Sequence, residues 1–272
     1  MFISREEILD RLKEQIKTNR QIIGVACGAG ISARYAEKGG ADLILVLNSG
    51  RYRQMGVGSL AGFMPFDNCN KMVMDLGSKE IIPAARNIPT IFGLCATDPT
   101  INLSLYLDRI KSNGFAGINN YPTIGMINGQ FREALEEQEI SYNIEVEAIR
   151  LAHEKNLFTI AFVFDDEQAK NMIEAGADII CAHLGLTKGG ELGAKKVLSL
   201  EAGVQVAKKI FEICEELKPG SIKMIYGGPV NTPIDWKYIH DNTKAHGYLG
   251  GSTFERTPAE IAITNITHEF KV

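Results

Sequence analysis

Two apolar runs in this chain stop at paired glycines. Ile222-Lys223-Met224-Ile225-Tyr226 ends in Gly227-Gly228-Pro229, and Gly247-Tyr248-Leu249 ends in Gly250-Gly251-Ser252. If both runs are neighbouring strands, their ends leave bare backbone N–H groups at one sheet edge. Glycine lets an anion approach the main chain and the N–H groups donate to it, so these residues are candidates to bind a phosphoryl or carboxylate group. His183 follows another run, Ile179-Ile180-Cys181-Ala182, and is the only histidine at such an end. Its imidazole could move a proton near neutral pH, or could only hydrogen-bond a backbone group or the ligand. Cys95 follows the run ending at Leu94. Its thiol is a candidate nucleophile if a helix N-terminus or a histidine lowers its pKa, and otherwise a small core residue. Glu191, in the glycine-rich stretch after His183, is the third catalytic candidate, because no helix end explains it there.

Further groups are candidates to hold the ligand. Arg51 and Arg53 follow Asn48-Ser49-Gly50, where an arginine can close over an anion with a bidentate fork or simply lie solvated. Arg51, next to the Asn-Ser-Gly turn, is the preferred one. Asn119 and Asn120 can orient a carboxylate or cap Tyr121-Pro122. Cys27-Gly28-Ala29-Gly30-Ile31-Ser32-Ala33 scans as G-x-G-x-x-A, but the second strand ends in Asn48, not in the acid that a dinucleotide ribose needs. The plainer reading of Gly28 and Gly30 is a tight turn whose helix N-terminus helps hold an anion. Asp165-Asp166-Glu167 reads as an N-cap and acidic first turn, and Asp98 as a helix cap.

The elements that position these groups form a quarter-repeat. A helix ending in glycine and passing straight into a strand occurs at Gly39-Gly40, Gly114, Gly176 and Gly247. A C-cap glycine in the left-handed conformation turns the chain at once into the sheet. Each such strand has a partner ~20–25 residues upstream, the spacing of a β-α-β unit. The partners are Ile22–Cys27, Thr90–Leu94, Phe158–Phe164 and Ile222–Tyr226. Four two-strand units predict an α/β fold, a TIM (β/α)8 barrel, with the candidate groups at its C-terminal mouth. Phosphate usually sits after strands 7 and 8 of such barrels, where the paired glycines fall. Ser4–Arg20 predicts an additional N-terminal amphipathic helix, either a lid over the opposite end or docked elsewhere.

The totals agree. The 272 residues, 45% hydrophobic with 27 glycines, suit one barrel domain over 1–272, with the extra helix in 1–20. A formal charge of −4 and the lack of a Lys/Arg block argue against nucleic acid and membrane surfaces as partners. Ser4-Arg5-Glu6-Glu7 reads as a capping box and not a signal peptide, and no apolar run reaches ~18 residues. Five cysteines without a C-x-x-C pair read as reduced thiols of a cytoplasmic protein.

Gly28-Ala29-Gly30-Ile31-Ser32-Ala33, Gly117–Thr123, Ala182–Gly190 and Gly227-Gly228-Pro229-Val230 together resemble the phosphoenolpyruvate hydrolase-like family, also called TIM-barrel signal-transduction proteins. The chain is also similar to the barrel domain of Tm-1-like proteins. The resemblance implies a TIM barrel and a hydrolase or lyase acting on a small phosphorylated or phosphonate carboxylic acid. It further implies Mg²⁺, held in phosphonopyruvate-processing enzymes by acidic strand ends. Strands 2, 3, 4 and 6 here end in Asn48, Cys95, Asn119 and His183, which leaves only Asp98 and Glu191 as oxygen donors. The second expectation is a ligand-sensing barrel that binds the same anion without catalysis. A homo-oligomer with loops at its interface is the third.

Overall fold

Strands buried on both faces need apolar residues throughout, and the chain supplies them. The computed structural model describes residues 3–271. Its strands are β1 (Ile22–Cys27), β2 (Leu43–Val46), β3 (Thr90–Gly93), β4 (Gly117–Asn119), β5 (Phe158–Val163), β6 (Ile179–His183), β7 (Ile222–Tyr226) and β8 (Gly247–Gly250). Each pairs in parallel with the next, and β8 returns to β1 to close the barrel. Side chains alternate as a pleated strand requires. Ile22, Ala26, Leu43, Leu45, Ile160, Phe162, Cys181, Met224 and Tyr226 fill the interior. Val25, Cys27, Ile44, Val46, Phe92 and Ile225 face the surrounding helices.

Gly40, Gly114 and Gly176 turn from helix to strand with φ near +90°. The fourth turn differs from the sequence expectation. Lys244 takes the left-handed conformation at φ +57°, and Gly247 lies in β8. A methyl group on Gly247 would meet the Ile22 carbonyl oxygen at 2.2 Å, so glycine serves close strand packing there.

The helix Arg5–Lys17 is the lid. Ser4 caps it by accepting from the Glu7 N–H, and Ile8 and Leu12 are buried against the interior cluster at the N-terminal end of the strands. Arg5 fixes it through Asp178, at 2.6 Å from Nη2. Asp178 also accepts from the N–H and hydroxyl of Thr159, so the lid is tied to β5 and β6 at one point.

The stretch after β2 is more ordered than a glycine-rich loop. Asn48–Gln54 is a short helix, Ser59–Phe63 a 3-10 turn and Cys69–Leu76 a second helix. This excursion folds back over the mouth, where Phe63 meets the edge of Tyr121 at a centroid distance of 5.4 Å. Asp165 caps the helix Asp166–Glu174 as expected, accepting from the Gln168 N–H at 2.7 Å. The last helix, Arg256–Glu269, is exposed along nearly its whole length. Among the described residues no helix is long and apolar enough to cross a membrane.

Candidate functional site

Two inward-facing groups meet at the mouth. On one side, β4 to β7 supply rings. His183 stacks on Tyr226 at 4.6 Å and lies against Phe164 and Phe162 at 4.9 and 5.1 Å. Tyr121 meets the edge of Phe162. His183 is only 3% exposed, and burial lowers its pKa to about 3, so the ring is neutral at pH 7. Its Nδ1 accepts from the Gly185 N–H at 3.1 Å, which leaves the proton on Nε2. Among the described residues Nε2 has no hydrogen-bond partner.

On the other side a buried ion pair spans β1, β2 and β8. Arg53 lies one helical turn after Ser49, so both point from the helix Asn48–Gln54 to the same side. Arg53 donates from Nε to Glu255 at 3.0 Å and from Nη2 to the Ala26 carbonyl at 2.7 Å. Glu255 also accepts from the Gly28 N–H at 2.7 Å. Nη1 has only a 3.4 Å contact with Ser49 Oγ, so it keeps donor capacity. A methyl group on Gly251 would lie 3.0 Å from Nη1, so the bare glycine lets the guanidinium rest on the end of β8. Among the described residues the N–H groups of Gly251 and Ser252 have no acceptor. The Tyr121 and Tyr226 hydroxyls lie close enough to Arg53 for its charge to favour their ionised forms. Burial holds both phenols above their ordinary pKa.

Several sequence expectations are corrected here. Arg51 points away from the mouth and pairs with Glu80 at 3.6 Å; Arg53 takes the buried place. Gly227 and Gly228 do not form an open cradle. Methyl groups on them would meet the carbonyl oxygens of Gly185 and Leu184, each at 2.4 Å, and the Gly228 N–H already donates to Gly185 at 2.8 Å. Both are therefore glycine so that the loops after β6 and β7 can touch. Gly250 is packed under the rings of Tyr248 and Phe254. Gly28 gives its N–H to Glu255, and Gly30 packs against the Glu80 carbonyl, so neither offers a free anion site. Glu191 is exposed, its N–H bonded to Glu260 near the last helix. Asn48 donates to the Gly62 carbonyl at 2.7 Å, and its buried Oδ1 has no partner among the described residues. Cys95 stands at the mouth, half-buried, with its thiol 3.7 Å from the Thr97 hydroxyl.

The two asparagines after β4 part ways. Asn119 faces the barrel interior, donates to the Ile160 carbonyl at 2.9 Å and leaves a buried Oδ1 without a partner among the described residues. Asn120 turns outward and bridges to β5, exchanging hydrogen bonds with the N–H and carbonyl of Phe162. It also donates to Glu145, which accepts from Thr123 and the Ile124 N–H as well, all three at 2.7 Å. Burial pushes the Glu145 carboxyl up to about 8, against those three donors. Between about pH 4.5 and 8 the unfolded chain gives up this proton while the folded chain keeps it, so stability falls as pH rises through that window. Urea unfolding across that range should show the decline, and Glu145→Gln should remove its share of the slope. The same variant should be less stable by roughly 1–3 kcal/mol, because its amide sets a donor against donors.

A metal fits poorly. Among the described residues no three His, Cys, Asp or Glu side chains gather to hold an ion. Asp98 already accepts from Asn68, Asn70 and Thr100, and Glu255 is committed to Arg53 and Gly28. Hard cations need oxygen ligands with room to coordinate, so no chemical step is assigned to Mg²⁺.

The phosphoenolpyruvate hydrolase-like family model matches residues 7–272. The chain belongs to this family. The tomato (Solanum lycopersicum) ToMV resistance protein Tm-1(GCR237) is 42% identical over 268 residues, which cover 98% of this chain and 35% of that protein. The chain thus spans about a third of the length of the tomato relatives it matches. Among solved structures, oxaloacetate acetylhydrolase superposes with a TM-score of 0.64 at 14% identity, covering 100% of this chain and 88% of that one. Phosphonopyruvate hydrolase complexed with oxalate and Mg²⁺ gives 0.60 at 13%, covering 97% and 87%. At such identities the likeness is one of fold.

Within the phosphoenolpyruvate hydrolase-like chain, the sequence itself holds a signal for some of these inward-facing residues. Counting back by twos from Tyr226 puts Met224 and Ile222 on its face, the inward one. Reading Asn48–Gln54 as a helix would have favoured Arg53, four residues after Ser49. Glu255 gave no signal, since its partner Arg53 is 202 residues away.

Proposed function

We propose that this barrel is a hydrolase or lyase that binds a small phosphorylated or phosphonate carboxylic acid at its C-terminal mouth. The observation that carries the proposal is the Arg53 guanidinium resting on Gly251, with Nη1 and the N–H groups of Gly251 and Ser252 left to donate. These donors would take one anionic end of the ligand, near the tyrosine hydroxyls. His183, neutral and carrying its proton on Nε2, would donate a hydrogen bond to an oxygen of the reacting group and steady the negative charge that develops on it as a C–P or C–O bond breaks, keeping its own proton. Similar barrels named phosphonopyruvate hydrolase and oxaloacetate acetylhydrolase support this class of substrate.

The test is a thermal-shift and turnover panel of phosphoenolpyruvate, phosphonopyruvate, oxaloacetate, oxalate and phosphate, with and without Mg²⁺. At least one acid should both raise the melting temperature and be consumed. His183→Ala should then lower kcat about 100-fold or more while leaving affinity within a few-fold. Equal turnover by wild type and His183→Ala would remove the histidine from the chemistry.

A ligand-sensing barrel is the second reading. The closed mouth favours it, with Tyr121 and His183 only 2% and 3% exposed, as does the likeness to a tomato protein named for resistance to ToMV. Stabilisation by an acid that is never consumed would select it.

We also propose that the chain self-associates through its last helix. Ile263, Ile266 and Phe270 lie three and four residues apart and are 64%, 49% and 88% exposed. In a (β/α)8 barrel the helix after β8 completes the outer ring. Here a cavity of about 390 Å³ opens beside the first helix of that ring, lined by Ile23, Val25, Ile31, Tyr35, Ala36 and Phe254. A second copy's helix suits this groove in chemistry and position.

A further inference from the structure

We propose that Cys69 and Cys95 form a reversible dithiol–disulfide site at the edge of the barrel mouth, oxidised by a small-molecule disulfide such as oxidised glutathione. Cys95 follows β3, and Cys69 is the first residue of the helix Cys69–Leu76. The excursion after β2 brings them together, and a polar clamp keeps them there. Asn70 donates to the Cys95 carbonyl and accepts from the Cys95 N–H, both at 3.0 Å. Asp98 accepts from Asn68 and Asn70, at 2.8 and 3.0 Å, so the helix N-terminus is pinned to the loop after β3. Cys69 directly precedes Asn70 in the chain, so the two hydrogen bonds that Asn70 exchanges with the Cys95 main chain hold Cys69 beside Cys95. Both are half-buried, whereas Cys27, Cys181 and Cys214 are buried.

The pair is also asymmetric. Cys69 lies below the ordinary thiol pKa because the Cys95 thiol, its own backbone N–H and Asn48 stabilise the thiolate. Cys95 lies above it for the converse reason. Cys69 also opens the helix Cys69–Leu76, whose N-terminal N–H groups favour a thiolate, so Cys69 is the attacking thiol and Cys95 the resolving one. The Cys69 thiolate attacks one sulfur of the small disulfide, forming a mixed disulfide and expelling one thiol. Cys95, losing its proton, then attacks the Cys69 sulfur and expels the second thiol. Two protein thiols and one small disulfide become one protein disulfide and two small thiols. The bond would tie the excursion carrying Phe63 to the end of β3, so the thiol state would govern the freedom of the cover over the mouth. This proposal does not depend on what the mouth binds.

The test is peptide mapping of the full chain after incubation with oxidised glutathione, acid quenching and alkylation. A peptide pair linked through Cys69 and Cys95, two hydrogens lighter than its reduced parts and split by dithiothreitol, is expected. Cys95→Ser should instead retain glutathione on Cys69, and Cys69→Ser should react about tenfold or more slowly at Cys95. Wild-type protein that keeps glutathione on Cys69 with Cys95 free, that loses no thiol, or that links another pair of cysteines would overturn the proposal.

Discussion

Arg53→Ala is expected to lower the unfolding free energy by about 3–5 kcal/mol, one of the largest effects of any single substitution in this chain. The guanidinium and the Glu255 carboxylate are both nearly inaccessible, at 1% and 3% side-chain exposure. Removing the cation strands a buried carboxylate that keeps one donor, the Gly28 N–H. It also frees the Ala26 carbonyl, which Arg53 now satisfies. Arg53→Lys should recover only part of the loss, since an ammonium cannot reach Glu255, Ala26 and Ser49 together in a planar fork. Replacing the pair by Arg53→Met with Glu255→Leu should cost less than either single change, because no charge is then left alone. Urea unfolding midpoints read all of these. A loss below about 1 kcal/mol for Arg53→Ala would mean that water reaches Glu255 freely, against the burial described.

The second large effect concerns assembly. Ile263→Asp with Ile266→Asp is expected to convert an oligomer to a monomer, read by light scattering behind gel filtration. Each aspartate sets a charge in the apolar stripe that a second copy would cover, which is far costlier than an exposed charge. On the groove side, Tyr35→Glu should have the same result, since Tyr35 lines the cavity beside Phe254. A wild-type chain that runs as a monomer at all accessible concentrations would show that these two surfaces do not meet between copies.

The barrel was legible because its signals are local and repeated. Each unit carries its own apolar strands, and Gly40, Gly114 and Gly176 turn the chain as their spacing predicts. Gly247 broke the pattern because two different constraints, a left-handed turn and a tight strand approach, both select glycine. The same ambiguity misassigned Gly227 and Gly228: a residue without a side chain makes room for an anion or for another backbone, and here the backbone of Leu184–Gly185 fills the space. The mouth was harder to read because its polar partners come from distant segments. Arg53 meets Glu255 across the closure of the barrel, and Cys69 comes beside Cys95 only because Asn70 folds back to bond the Cys95 main chain. Asn120 was legible as a residue at the site's level but not as an outward hydrogen-bonding hub, since its partner Glu145 lies on the next long helix. His183 was placed correctly at a strand end, and its neutral state comes from the rings around it, which strand alternation alone does not assign.

The central claim is that the end of β8 and Arg53 together receive a small dianionic acid. A crystal soaked with oxalate or phosphonopyruvate tests it most directly. The account predicts an oxyanion within about 3 Å of the Gly251 and Ser252 N–H groups and of Arg53 Nη1, with the Glu255 pair still formed. A ligand bound instead at Gly227-Gly228, or a mouth that stays closed over its rings at saturating concentrations of both acids, would contradict it.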